Sequence, residues 1–117
     1  MHNFKNLTVW QKSIDLATQI YSITACFPGD EKYGLTSQIR RAAVSIPSNI
    51  AEGAGRKSNK EFKHFLTIST GSIFELETQI IVAHRLNLIN ESTMNEMSLN
   101  IIEIQKMLYS LERSIKI

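Results

Sequence analysis

The chain has 117 residues, 43% of them hydrophobic and 21% charged, and a formal net charge of +2. That balance excludes a disordered or collagen-like chain and fits one globular domain whose core needs no covalent staples. One cysteine, Cys26, excludes an intrachain disulfide and suits a reducing cytoplasm, while no signal peptide or apolar run of ~20 residues marks export or a membrane.

Four helices are predicted, over residues 8–27, 36–54, 58–88 and 93–115. The first opens at Thr8, whose hydroxyl can cap the first turn while Gln11 reaches back. Leu7, Trp10, Ile14, Ala17 and Tyr21 recur at three- and four-residue steps and mark its core stripe. Pro28-Gly29-Asp30 is turn chemistry. In the second helix Thr36 is the expected cap, and Ile39, Ala43, Ile46 and Ile50 form the apolar stripe. Gly53 and Gly55 are its expected stop. Pro47 removes one backbone bond at ~3 kcal/mol and predicts a kink after Ala43.

Ser58 with Glu61 forms a capping box that opens the third helix, ~45 Å long at 1.5 Å per residue. Its seam reads Phe62, Phe65, Ser69, Ser72, Leu76 and Ala83, and Asn87 and Asn90 punctuate the following turn. Met94, Met97, Ile101, Ile104, Leu108, Leu111 and Ile115 then alternate three and four without a break. Four amphipathic helices on short connections predict an all-α, antiparallel up-down-up-down four-helix bundle spanning one domain.

Two patterns exceed what a lone bundle needs. Phe74, Ile81 and Leu88 stand seven apart off the seam of the third helix, and Ile102 and Tyr109 do the same on the fourth. Such second stripes point to another subunit, although scattered exposed apolar residues are ordinary. On the second helix Arg41, Ser45, Ser48 or Asn49, Glu52 and Arg56 share a polar face. That face is either simply solvated or a contact between subunits, with Arg41 paired to Glu52 and Asn49 bonding backbone.

No catalytic constellation is found. Glu61-Phe62-Lys63-His64 matches one Glu-x-x-His element of di-iron bundles, but the second copy such a site needs is missing. His2 and His84 have no partner at ligand spacing. Gly53-Ala54-Gly55-Arg56-Lys57-Ser58 lacks the first glycine and the preceding strand of a phosphate loop. No enzyme activity, cofactor or metal is therefore expected. Residues 36–65 carry six basic and two acidic side chains, a local balance of +4 that leaves −2 for the remainder. Arg40, Arg41, Arg56, Lys57, Lys60 and Lys63 are the candidate nucleic-acid contacts, with the two groups ~25 Å apart along the second helix. No aromatic side chain is interleaved for a single-strand stacking platform.

Three blocks, FKNLTVWQKSIDLATQIY, FPGDEKYGLTSQIRRAAVSIPSNIAEGAGR and FLTISTGSIFELETQI, resemble the four-helix bundle family encoded by intervening sequences of bacterial 23S ribosomal RNA genes. The similarity spans nearly the whole chain and weakens over the fourth helix, where heptads are generic. It implies small cytoplasmic bundles without known enzymatic activity that assemble as homopentamers around a central channel. A related branch, the accessory protein of diversity-generating retroelements, is strongly basic and associates with reverse transcriptase and nucleic acid. The shared segment falls here on Arg40, Arg41, Ser45, Pro47, Asn49, Glu52, Gly53 and Arg56.

The expected function is therefore that of a homo-oligomer, pentameric by resemblance, contacting RNA, DNA or a reverse-transcriptase-like protein through its basic helix 2–helix 3 edge. The alternative is a protein-binding scaffold with no nucleic-acid role. Arg41, Ser45, Asn49, Glu52, Phe74, Ile81, Leu88, Ile102 and Tyr109 are the expected subunit contacts.

Overall fold

The computed structural model describes residues 2–31 and 34–117, so Lys32 and Tyr33 of the middle resembling block lie outside it. Among the described residues there are four α-helices: α1 (Thr8–Thr24), α2 (Leu35–Ala54), α3 (Asn59–Arg85) and α4 (Glu91–Ser114). Short 3-10 turns at Phe4–Asn6 and Gly29–Glu31 precede α1 and α2. Cross-helix bonds fix the directions. Ser45–Ser72 and Ile46–Ser69 tie α2 to α3, Thr67–Glu112 and Glu77–Gln105 tie α3 to α4, and Lys12–Glu103 and Gln19–Asn100 tie α1 to α4, each at 2.8–3.1 Å. Sequence numbers rise on one helix as they fall on its neighbour, which defines an antiparallel up-down bundle. Each helix packs closely on two neighbours, so that the α1–α2 flank lies opposite the α3–α4 flank. The molecule measures 44 × 24 × 20 Å.

The helix ends show which local signals held. Ser58 caps α3, accepting a bond from the Glu61 amide at 3.1 Å, while its hydroxyl donates to the Glu61 carboxylate at 3.2 Å. The reciprocal half of the capping box is thus made side chain to side chain. Asn90 caps α4 by accepting from the Thr93 amide at 2.8 Å. Asn87 adopts φ 62°, and the Leu88 and Asn87 amides bond the carbonyls of Ala83 and His84. That pairing is a Schellman closure, and it stops α3 at Arg85 rather than at Leu88.

Other expected caps are not made. Thr8 is the first helical residue of α1 instead of its cap, and Gln11 donates to the Lys5 carbonyl of the preceding turn. The same helix ends at Thr24, short of Phe27. Thr36 sits inside α2 behind Gly34, with its buried hydroxyl oxygen unpartnered among the described residues.

Core composition follows the predicted stripes on α2 and α4 and departs from them on α1 and α3. Ile39, Ala43, Ile46 and Ile50 are fully buried, as are Met97, Ile101, Ile104 and Leu108 within about one per cent. On α1 the inward residues are Val9, Ser13, Leu16, Ile20 and Thr24, whereas Ile14 and Tyr21 are exposed. The predicted stripe divides: Ala17 is buried and Leu7 and Trp10 pack half-buried against the core, while Ile14 and Tyr21 face outward. On α3 the buried line is Phe62, Leu66, Ser69, Ile73, Leu76, Ile80 and Ala83, with Phe65 and Ser72 half-buried at its α2 edge.

The closest approach is between α2 and α3. Gly53 does not stop α2 but lies buried within it, where an added Cβ would stand 2.7 Å from Phe65 Cβ. Nearby, Ser69 donates to the Ile46 carbonyl at 2.9 Å, a fully buried tie next to Pro47. The helix runs unbroken through Pro47, which is itself buried. Between α1 and α4 the exposed Lys12–Glu103 pair stands at 2.9 Å. Its hydrogen bond and charge hold the Lys12 pKa above the ordinary lysine value. Any contribution to stability is thus complete at neutral pH and is lost as pH rises through that elevated value.

Candidate functional site

Three surfaces gather side chains that the core does not consume. The first is a groove of about 480 Å³ on the α1–α2 flank. Trp10, Ile14 and Tyr21 from α1 and Val44, Pro47 and Ala51 from α2 line it, with Phe4 set edge-on to Trp10 at one end. Val44, Pro47 and Ala51 were not among the expected interface residues. Their signal was present as a second apolar line on helix 2, at steps of three and four beside the Ile39–Ile50 stripe.

The second surface is a ridge on the α3–α4 flank. Phe74 is 53% exposed and Tyr109 62%, and Ile81 and Ile102 are exposed beside them. Leu88 does not extend it, because α3 has already ended and the side chain packs half-buried on the core. The polar stripe of α2 also divides. Ser45 bonds Ser72 at 2.8 Å, and the Asn49 amide donates to the Ser45 carbonyl and hydroxyl of its own helix. Those two residues serve the α2–α3 contact inside the chain. Glu52 pairs with Arg56 at 2.8 Å, one turn away. Arg41 is left exposed, with no ion pair among the described residues.

The third surface is the turn from α2 into α3. Lys57 and Lys60 are exposed, Lys63 is half-buried, and Arg56 lies over the Phe65 ring at 4.8 Å. Arg40 does not join them. It stands ~24 Å away along α2, and its guanidinium donates to the Thr24 hydroxyl at 2.8 Å and to the Tyr21 carbonyl at 3.3 Å. It also covers the Tyr21 ring at 4.5 Å, so it caps the end of α1 rather than facing solvent. Of the six candidate cations, four share one turn and Arg41 stands apart on the flank of the groove.

Glu61 and His64 are one turn apart, but the carboxylate is engaged by Ser58 and the imidazole packs edge-on to Phe65. Among the described residues no group of three or more His, Cys, Asp or Glu side chains could hold a metal. No helix among them is long and apolar enough to cross a membrane.

The sequence profile described as 23S rRNA-intervening sequence protein matches residues 5–110. The chain belongs to that family. The intervening-sequence fold is seen again in the crystal structure of a protein of unknown function from the S23 ribosomal protein family of Bacteroides thetaiotaomicron VPI-5482. That structure is 25% identical, superposes with a TM-score of 0.84, and is matched over 90% of this chain and 95% of its own. No curated protein matches.

In this intervening-sequence family member, Arg40→Met tests the capping role. Losing a charge-assisted bond of this kind costs about 1.5–3 kcal/mol. A urea titration is expected to show that loss, with any RNA affinity unchanged. An unaltered midpoint would return Arg40 to the solvent-facing cations.

Proposed function

We propose that the chain is a non-enzymatic, cytoplasmic homo-oligomer, a pentamer as the family resemblance implies, which acts as an assembly module. One observation supports this reading above the rest. Every helix carries an apolar group on its outer side: Ile14 and Tyr21 on α1, Val44 on α2, Phe74 and Ile81 on α3, Ile102 and Tyr109 on α4. A monomeric bundle needs one apolar stripe per helix, and here a second remains in water.

A second reading adds a polyanionic partner, RNA or DNA, alone or with its reverse-transcriptase-like enzyme. Arg56, Lys57, Lys60 and Lys63 favour it, because they crowd one turn with only Glu52 and Glu61 nearby in sequence. An oligomer repeats that turn once per subunit, and phosphate contacts of this kind weaken steeply with salt.

Light scattering coupled to sizing tests both readings, with and without a short structured RNA at low and high salt. An oligomer that takes up RNA at low salt and releases it at high salt is the result expected of the second reading. Replacing Arg56, Lys57, Lys60 and Lys63 by alanine should then abolish uptake, and retained binding would eliminate this turn as the site. An oligomer indifferent to RNA leaves the assembly module as a protein scaffold. A monomer at micromolar concentration would overturn the proposal.

A further inference from the structure

We propose that the segments preceding α1 and following α4 complete the basic surface of the α2–α3 turn, so that cations from three separate parts of the chain grip one nucleic-acid backbone. This inference rests on the polyanion reading and extends its site. Two ties bring the segments together. The His2 amide donates to the Ala54 carbonyl at 2.8 Å, and the His2 ring packs at 4.7 Å on the buried Phe62 ring. The Asn59 side-chain amide donates to the Lys116 carbonyl at 2.8 Å, next in the chain to buried Ile115. Residues far apart in sequence are thus fastened to the same end of the bundle.

Charge follows those ties. Lys5 comes three residues after His2 and Arg113 three before Lys116, spans of at most about 10 Å of chain. All three cations are exposed, and none makes an ion pair among the described residues. Over residues 2–7, 52–63 and 111–117 there are seven basic side chains and three acidic ones. The acids are engaged, Glu52 by Arg56, Glu61 by the Ser58 hydroxyl and Glu112 by the Thr67 hydroxyl, at 2.8–3.2 Å. The opposite end of the bundle differs. Residues 30–40 and 85–96 carry three basic and four acidic side chains, and Arg40 there is spent on the end of α1. The resulting field runs along the bundle and draws a polyanion towards the α2–α3 turn. Assembly through the flanks leaves the bundle ends in water, so each copy would repeat this platform.

Binding of a short structured RNA to the full chain, followed by fluorescence anisotropy across a salt series, tests the extension. Lys5→Ala/Lys116→Ala is expected to weaken binding and to lower the slope of log K against log salt by about 2 for each copy the RNA touches. Arg85→Ala/Lys106→Ala removes the same charge from exposed positions away from this end, and its slope is expected to match the parent's. Equal slopes for the two double variants would overturn the extension. The polyanion reading would survive that result if alanine at Arg56, Lys57, Lys60 and Lys63 still abolished binding. A parent that takes up no RNA at low salt would remove both.

Discussion

Gly53→Ala is expected to destabilise the chain by about 1–3 kcal/mol, although the same replacement in an open helix interior usually stabilises. The sign turns on the α2–α3 contact. The new Cβ would stand 2.7 Å from Phe65 Cβ, 3.0 Å from Phe62 Cδ1 and 3.2 Å from the Phe62 carbonyl oxygen. None of these is the far end of a flexible chain: one is a β-carbon, one belongs to a fully buried ring, and one is backbone. Relief requires α3 to move away from α2, which loosens the buried Ser69–Ile46 bond a few turns along. Gly71 supplies the matched control, since its added Cβ meets nothing and Gly71→Ala gains about 0.5–1 kcal/mol in helix propensity. Urea titration of both variants at one protein concentration reads the two signs. If Gly53→Ala unfolds at or above the parental midpoint, the close packing of α2 on α3 is wrong.

Phe74→Asp with Tyr109→Asp is expected to convert the proposed oligomer to a monomer while leaving helicity unchanged. Both rings are more than half exposed in the single chain, so their loss barely touches its core. Surface substitutions of that sort usually stay within about 0.5 kcal/mol of parental stability. At a subunit contact the arithmetic differs. Two aromatic side chains buried there contribute about 1.5–3 kcal/mol each, so their loss weakens association roughly 10²–10⁴-fold before the carboxylates add a desolvation cost. Sizing with light scattering and circular dichroism on the same sample separates the two effects. An unchanged assembly would show that the ridge faces solvent, and a lost helical signal would show that it belongs to the core.

Much of the chain was legible because its signals are local. Ser58, Asn87 and Asn90 mark ends through bonds to backbone groups within five residues, and those bonds form whatever the helix packs against. The α2 and α4 stripes were read correctly because each has one line of branched or long apolar residues with no rival of equal size at its core edge. Helix α1 has two such lines one position apart. The larger side chains marked the wrong one as the main core line: Trp10 is half-buried against the core but Ile14 and Tyr21 are exposed, because size does not reveal which face meets a neighbour. The inward line holds Ser13 and Thr24, whose hydroxyls bond carbonyls of their own helix and so can be buried.

The candidate surfaces divide in the same way. Phe74, Ile81, Ile102 and Tyr109 were foreseen from seven-residue spacing, and the cations of the α2–α3 turn from their clustering. Leu88 was misplaced because a left-handed Asn87 ends the helix before it. The groove was missed because it belongs to two helices, and neither shows a groove by itself.

Sequence alone determined that this protein is four amphipathic helices in one bundle, where three of the turns fall, and that it carries more apolar surface than one copy can bury. Those properties depend on spacing and capping within about one helical turn. Only the tertiary structure decided that α1 turns Ile14 and Tyr21 outward, that Gly53 is a point of contact, and that Arg40 is bound to the end of α1. It likewise set the groove and ridge on opposite flanks. Each of those outcomes depends on how residues far apart in the chain share one layer of the bundle, and no periodicity along a single helix encodes which neighbour it will meet.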